Sequence, residues 1–274
     1  MREVPPPRAG EETAMPERRR VKVTVSYDGA GYQGFQLQAN GVTVQSVIED
    51  ALGRLLEEPV RVRAAGRTDS GVHAREQVID FADSGRRSPE TIVRGGNALL
   101  PADIRILSAE EVPPSFDALR GARSKHYRYF LYVAPVASPF LARYAWHLGR
   151  PLGIGAMRHA LAHIVGRHDF ASFRGQGCTA RTTVREIFRA GIEAEAVPGL
   201  FSVRIEGSGF LRHMVRNVVG TVVDVGRGKS PPDLVRELLG LRDRTLAGPN
   251  APPHGLFLWE VAYGEPREAG SGGG

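Results

Sequence analysis

Apolar and polar residues alternate at Val21, Val23, Val25 and Tyr27, the period of a strand with one buried face. The period then changes. Thr43 stands before Val44, Val47, Ile48, Ala51, Leu52, Leu55 and Leu56, one apolar helical face behind a hydroxyl cap. Two strand-like segments, near 60–65 and 77–82, flank a polar turn. Ser88 and Pro89 open a helix toward Leu99, and Ile104 to Val112 returns as a strand. The order is β-α-β-β-α-β. The second half repeats it: a strand at Lys125–Val133, a helix from about Gly153 to Val165, and strands near 184–194 and 200–206. A long helix over Phe210–Val225 turns Leu211, Met214, Val215, Val218 and Val222 to one side. A short helix follows Pro231 and Pro232, and Leu256 to Tyr263 is the final strand. The pattern predicts an α+β protein of two ferredoxin-like, RRM-like halves, each an antiparallel sheet with helices on one side. It places one domain at 20–115 and a second at 116–264. Residues 1–19, rich in Pro, Glu and Arg without periodicity, read as a disordered arm. Residues 265–274, rich in Gly, read as a flexible tail.

Composition narrows the class. A chain of 274 residues has room for one or two domains. Its apolar runs are short and broken by Gly or Arg, so none spans a membrane. Met1 to Pro16 lacks the apolar stretch of a secretory signal. The one cysteine, Cys178, excludes an intrachain disulfide, and a cytoplasmic protein is the natural reading. Net charge is +6, but unevenly placed. Between Ala118 and Arg189 twelve Arg or Lys face only Asp169 and Glu186. Such asymmetry points to a polyanionic partner, and Arg suits bidentate phosphate contacts. The plainer alternative is an Arg-rich coding bias on a solvated face. Four-stranded sheets of this type also serve as RNA platforms.

Several motifs carry little. Gly29-Ala30-Gly31-Tyr32-Gln33-Gly34 is a formal G-x-G-x-x-G after a strand. A dinucleotide site needs a helix to start inside that turn, and here the helix starts near Thr43. Gly228-Lys229-Ser230 imitates the end of a P-loop but follows a helix instead of a strand. His159 and His163 are four apart, yet Ala160 stands where a zinc protease needs Glu. Cys178 has no evident base beside it.

Three features hold more chemistry. Gly66-Arg67-Thr68-Asp69-Ser70-Gly71-Val72-His73 is a polar turn between strands. A cation two residues from a carboxylate favours the ionised form, and an oriented Asp69 can act as nucleophile or base. An Asx-turn with a solvated Arg67 is the bland alternative. Lys125, Tyr127 and Tyr129 share one face of a strand, with His126 and Arg128 on the other. Tyr127 is placed either to stack on a base or to fill the core. Arg212 and Arg216 lie one helical turn apart and project together, while Gly207 and Gly209 leave that helix's N-terminus open to an anion.

These residues together resemble the tRNA pseudouridine synthase A family. The likeness spans about residues 20 to 263. It rests on Tyr27-Asp28-Gly29 with Gly34-Phe35-Gln36, Thr43-Val44-Gln45, Gly66 to Ala74, Asn97 with Leu100-Pro101, and Tyr127-Arg128-Tyr129. It continues through Gly166 to Phe170, Arg181-Thr182, His213 to Asn217, and Gly255-Leu256. The resemblance implies an isomerase that turns uridines of the tRNA anticodon stem-loop, at positions 38, 39 and 40, into pseudouridine. It implies a central active-site cleft with Asp69 as catalytic group. By the same resemblance Arg67 seats the flipped nucleotide, Tyr127 stacks on the base and is a candidate proton acceptor, and Leu256 lines the pocket. It further implies a homodimer that grips tRNA with both subunits and uses no metal and no organic cofactor. Ser70 stands where the family has Ala, and Leu119 where it often has Arg. A non-catalytic RNA-binding protein on the same fold is the alternative.

Overall fold

The computed structural model describes residues 18–264. The expected tail at 265–274 and all but Arg18 and Arg19 of the expected arm lie outside the described residues. The first half consists of β1 (Arg19–Tyr27), α1 (Val44–Leu56), β2 (Arg63–Ala64), β3 (His73–Asp83), α2 (Pro89–Leu99) and β4 (Ile104–Val112). The second half consists of β5 (Ser124–Val133), β6 (Trp146–Leu148), α3 (Ile154–Ala162), β7 (Gly166–Asp169), β8 (Val184–Ala194), β9 (Leu200–Gly207), α4 (Met214–Gly226), α5 (Leu234–Leu241) and β10 (Leu256–Ala262). No helix among these is long and apolar enough to cross a membrane.

Local chemistry explains the best-read elements. Thr43 closes a capping box: its hydroxyl accepts from Ser46 N at 3.2 Å, and Ser46 Oγ accepts from Thr43 N at 3.1 Å. Ser88 caps α2 by a single bond, its Oγ accepting from Thr91 N at 3.3 Å, with Pro89 at the first turn. The alternating face of β1 (Val21, Val23 and Val25) is completely buried and shares a core with Ile48 and Leu52 of α1 and Ile92 of α2.

The sheet differs from expectation in one respect. The two halves do not form separate sheets but one, ordered β4-β1-β3-β10-β5-β9-β8-β7, with β2 also on β3 and β6 on β5. Within each half the order repeats: β4-β1-β3 with β2 beside β3, and β10-β5-β9-β8. The seam is the short parallel pairing of Phe257 with His73 and Leu258 with Ala74. β2 covers the same edge of β3 further along, at Ile79 and Asp80. The Asp69 turn therefore emerges beside the point where the halves join.

Boundaries also moved. The segment near 60–65 is strand only at Arg63–Ala64. The helix placed at Phe210–Val225 begins at Met214, because His213 sits at φ 59° and breaks the helical run. Arg212 and Arg216 thus do not share a helical face; Arg212 lies on the preceding loop. β6 is too short, and Gly-Arg-His-Asp of β7 too polar, to show a strand period.

Asp80 ties the first half to the connection that follows it. It is fully buried. Its Oδ2 accepts from Arg20 Nη1 at 2.5 Å and Arg63 Nη2 at 2.7 Å, and its Oδ1 accepts from Ala118 N at 2.8 Å. Arg63 also donates to Asp117 and to the Phe116 carbonyl. Removing a buried charge partner strands the others, although Arg63 here keeps access to water. We expect Asp80→Ala to lower unfolding free energy by about 2–3 kcal/mol in urea titrations, with Asp80→Asn intermediate.

Candidate active site

The turn carrying Asp69 is held from beneath. Tyr27 and Thr68 share a hydroxyl–hydroxyl bond of 2.8 Å, and Gln77 Nε2 donates to the Gly66 carbonyl at 2.6 Å. All three side chains are buried, and burial pushes the Tyr27 phenol up to about 12. From the side, Phe35 N donates to Thr68 O at 3.1 Å and Ser70 Oγ donates to Tyr32 O at 3.0 Å. Two glycines permit this approach. Gly34 has φ +83°, and a Cβ there would lie 2.9 Å from Thr68 O; one on Gly29 would lie 2.0 Å from Val72 O. Gly29 and Gly34 of the apparent dinucleotide motif are thus the wall against which the Asp69 turn packs. A single 3-10 turn covers Gly29–Gly31, and the next α-helix begins only at Val44, as the sequence spacing required.

The Asp69 side chain is about a quarter exposed. Its Oδ2 lies 3.4 Å from Arg216 Nη1 and 3.6 Å from His213 Nε2. Arg216, in the first turn of α4, is itself pinned: its Nε donates to Ala251 O at 2.7 Å, and Ala251 N donates to Arg216 O at 3.1 Å. The cation beside Asp69 is therefore Arg216, supplied from the other half of the chain. Arg67, expected to fill that role, is exposed and has no ion pair among the described residues. Arg212 is likewise exposed.

Tyr127 is 7 % exposed and meets the edge of Phe210 with ring centroids 4.9 Å apart. Its hydroxyl lies over Gly66, where an added Cβ would stand 3.8 Å from it and 3.4 Å from Lys125 Cε. Burial raises the Tyr127 pKa, and the nearby Tyr27 and Asp69 add to the rise. Leu256 is buried at the start of β10, paired in register with Tyr129, whose hydroxyl donates to Pro252 O at 2.8 Å. Two residues of this neighbourhood were not read as site residues. His213 was seen only as part of a motif. Lys125 was seen as a strand cation, but its burial, which lowers its pKa ahead of the repulsion from Arg185, is a tertiary fact.

Elsewhere, His159 and His163 approach Asp233 Oδ1 at 3.7 and 3.3 Å, and these three groups are near enough for a metal. Arg236 Nη2 lies 3.2 Å from the same oxygen and already supplies a positive charge there.

Residues 23–119 and 160–264 match the family described as tRNA pseudouridine synthase. The chain belongs to this family. A tRNA pseudouridine synthase A of Pelobacter propionicus is 49 % identical over 89 % of this chain and 100 % of the relative. That of Geobacter sulfurreducens is 47 % identical over 89 % and 100 %. That of Myxococcus xanthus is 45 % identical over 93 % and 96 %. A chain of the archaeal box H/ACA sRNP Nop10-Cbf5 complex aligns at a TM-score of 0.34 and 14 % identity, over 74 % of this chain and 44 % of that one, a likeness too slight to carry weight. In this tRNA pseudouridine synthase family member the Gly34 contact is the most exposed to test. Gly34→Ala forces a Cβ against the Asp69 turn at positive φ. It should cost about 1–3 kcal/mol of stability, read by chemical denaturation.

Proposed function

We propose that this member of the tRNA pseudouridine synthase family isomerises uridines at positions 38, 39 and 40 of the tRNA anticodon stem-loop, with Asp69 as the group that meets the flipped nucleotide. The observation that carries this reading is the Asp69 carboxylate, held on a rigid turn by Arg216 and still open to solvent on one side. Making pseudouridine breaks the C1′–N1 bond, turns the uracil, forms a C1′–C5 bond, loses a proton from C5 and gains one at N1. The sum is an isomerisation with no change of oxidation state and no group donor. The base must leave the stack to reach a side chain. Asp69 then adds to the uracil ring or attacks C1′, and both routes start from the same oriented carboxylate.

Tyr127 is the stacking surface in this reading. Burial above all, with the Asp69 carboxylate nearby, keeps the phenol protonated. As a proton acceptor it would have to pass its own proton on in the same step, so stacking and hydrogen bonding are its first roles. Leu256 supplies apolar pocket wall. Arg67 and Arg212, both exposed, are free to meet phosphates, while Arg216 serves the carboxylate. Each half, 20–115 and 116–264, is in this reading a ferredoxin-like unit, with the cleft where they join. The protein works as a cytoplasmic homodimer that holds tRNA with both subunits. The repeated strand order supports the paired halves, and the basic stretch from Ala118 to Arg189 supports the grip on a polyanion.

Asp69→Asn tests the catalysis. On an unmodified tRNA transcript, mapping of carbodiimide-resistant uridines should show modification at the anticodon arm by the wild type. The variant should lose at least about a thousandfold in rate while tRNA affinity stays within about threefold. A wild-type protein that leaves every uridine unmodified, or an Asn variant of full rate, sinks the proposal; the first result favours the RNA-binding reading. Separately, Arg212→Ala should weaken tRNA binding and reduce the slope of log affinity against log salt by about 1, measured by filter binding from low to moderate salt.

A further inference from the structure

His213 holds a costly conformation beside Asp69. Among the described residues three non-glycine residues have positive φ: Glu57, Arg242 and His213. Glu57 and Arg242 end α1 and α5, where the left-handed conformation is an ordinary helix stop. His213 instead precedes the first turn of α4, at φ 59° and ψ 2°, and its side chain makes no cap bond. A bulky residue stays there only when its surroundings over-determine it. Those surroundings are visible. Gly175 N donates to Arg212 O at 2.8 Å, and a Cβ on Gly175 would come within 2.8 Å of His213 Cγ, so the 175 loop clasps this backbone. Asn250 Nδ2 lies 3.4 Å from His213 Nδ1. An amide nitrogen only donates, so Nδ1 accepts and the ring proton sits on Nε2. That Nε2 lies 3.6 Å from Asp69 Oδ2, the same oxygen that Arg216 approaches. Neither contact falls on Oδ1.

We propose that His213 is a positioning residue for the reaction: its Nε2–H, together with Arg216, fixes Oδ2 of Asp69 so that Oδ1 is the oxygen presented to the nucleotide. The strained backbone turns the ring toward the carboxylate, Asn250 sets its tautomer, and Gly175 leaves room for it. This rests on Asp69 being the reacting group.

The neutral ring is the working form. The groups facing His213 are Asp69 from the β2–β3 turn, Arg216 of α4, Arg212 of the preceding loop and Arg244 beyond α5. Burial is the largest influence and lowers its pKa; Asp69 opposes this, and the three arginines reinforce it. As pH falls through that lowered pKa, Nδ1 gains a proton that faces the Asn250 donor, and a fourth cation joins the arginines. Oδ2 then loses its fixed partner geometry, and turnover falls.

The test compares His213→Asn, His213→Gln and Asp69→Asn in the full-length protein with an unmodified tRNA transcript. Asn adopts the left-handed backbone readily but is too short to reach Oδ2, whereas Gln places an amide N–H near the Nε2 position without titrating. His213→Asn should lower kcat by about ten- to a hundredfold with KM for tRNA within about threefold. His213→Gln should recover most of kcat and lose the acid limb that the wild type shows below the ordinary histidine range. A purely structural role predicts the reverse order, because Asn relieves the strain and Gln does not. The inference is overturned by an Asn variant with wild-type kcat, by a Gln variant no better than Asn, or by an acid limb that persists unchanged in Gln. Asp69→Asn separates the two readings: if it retains activity the catalytic role of Asp69 fails, and if it is inactive while His213→Asn is normal only the His213 proposal fails.

Discussion

The site depends on β10 entering the sheet between β3 and β5. β10 pairs in parallel with β3 over only two residues and antiparallel with β5 along most of its length. The short seam is reinforced by His73, which closes the Asp69 turn and opens β3. Its ring is buried and stacks on Phe257 at 4.6 Å. Its Nδ1 lies 3.1 Å from Gly29 N and 3.0 Å from Asp28 Oδ1, and its Nε2 lies 3.1 Å from His254 O. Burial lowers the His73 pKa, the largest effect on it, against the pull of Asp28. The ring thus links the glycine turn and Asp28 on one side to the lead-in to β10 on the other. The two halves are joined at the end of the turn on which Asp69 rides.

The chemistry follows from that junction. Asp69 comes from the first half, and Arg216 and His213 come from the second; no single half holds the constellation. Arg216 is oriented through Ala251, close to where the chain turns into β10. A carboxylate met by donors on one oxygen and free on the other is oriented without being consumed by its partners. The basic stretch serves a different distance scale. Scattered exposed arginines act on a polyanion through long-range field, whereas Arg216 acts through one contact.

Much of this was legible in the chain. Alternation at Val21–Tyr27 and helical spacing after Thr43 located β1 and α1 because packing there obeys a single period. The Asp69 turn was legible because its glycines and the strands around it mark a tight connection, and family likeness gave it a role. What stayed hidden was long-range. Nothing local reveals that β10 fuses two sheets into one, because sheet order is set by which edges meet. The assignment of Arg67 as partner of Asp69 rested on sequence distance; the partner lies 147 positions away in the chain. The helix start was misplaced because Leu211, Met214 and Val215 keep helical spacing through a segment where His213 turns left-handed. Histidine has no glycine-like signature to announce such a position.

The order of strands along the chain has a consequence for biosynthesis. The first six elements emerge from the ribosome as a nearly complete unit, with their own core around Ile48, Leu52 and Ile92. Yet the edge of β3 near His73 and Ala74 is left without its neighbour until β10 is translated. During that interval the nascent chain presents a short bare strand edge together with the His73 ring that later stacks on Phe257. Bare edges template unwanted pairing, and domains fold as they emerge. Translation speed through the second half of the message therefore sets how long the incomplete edge must be shielded. Asp69 waits in the same way for its arginine, which arrives with α4.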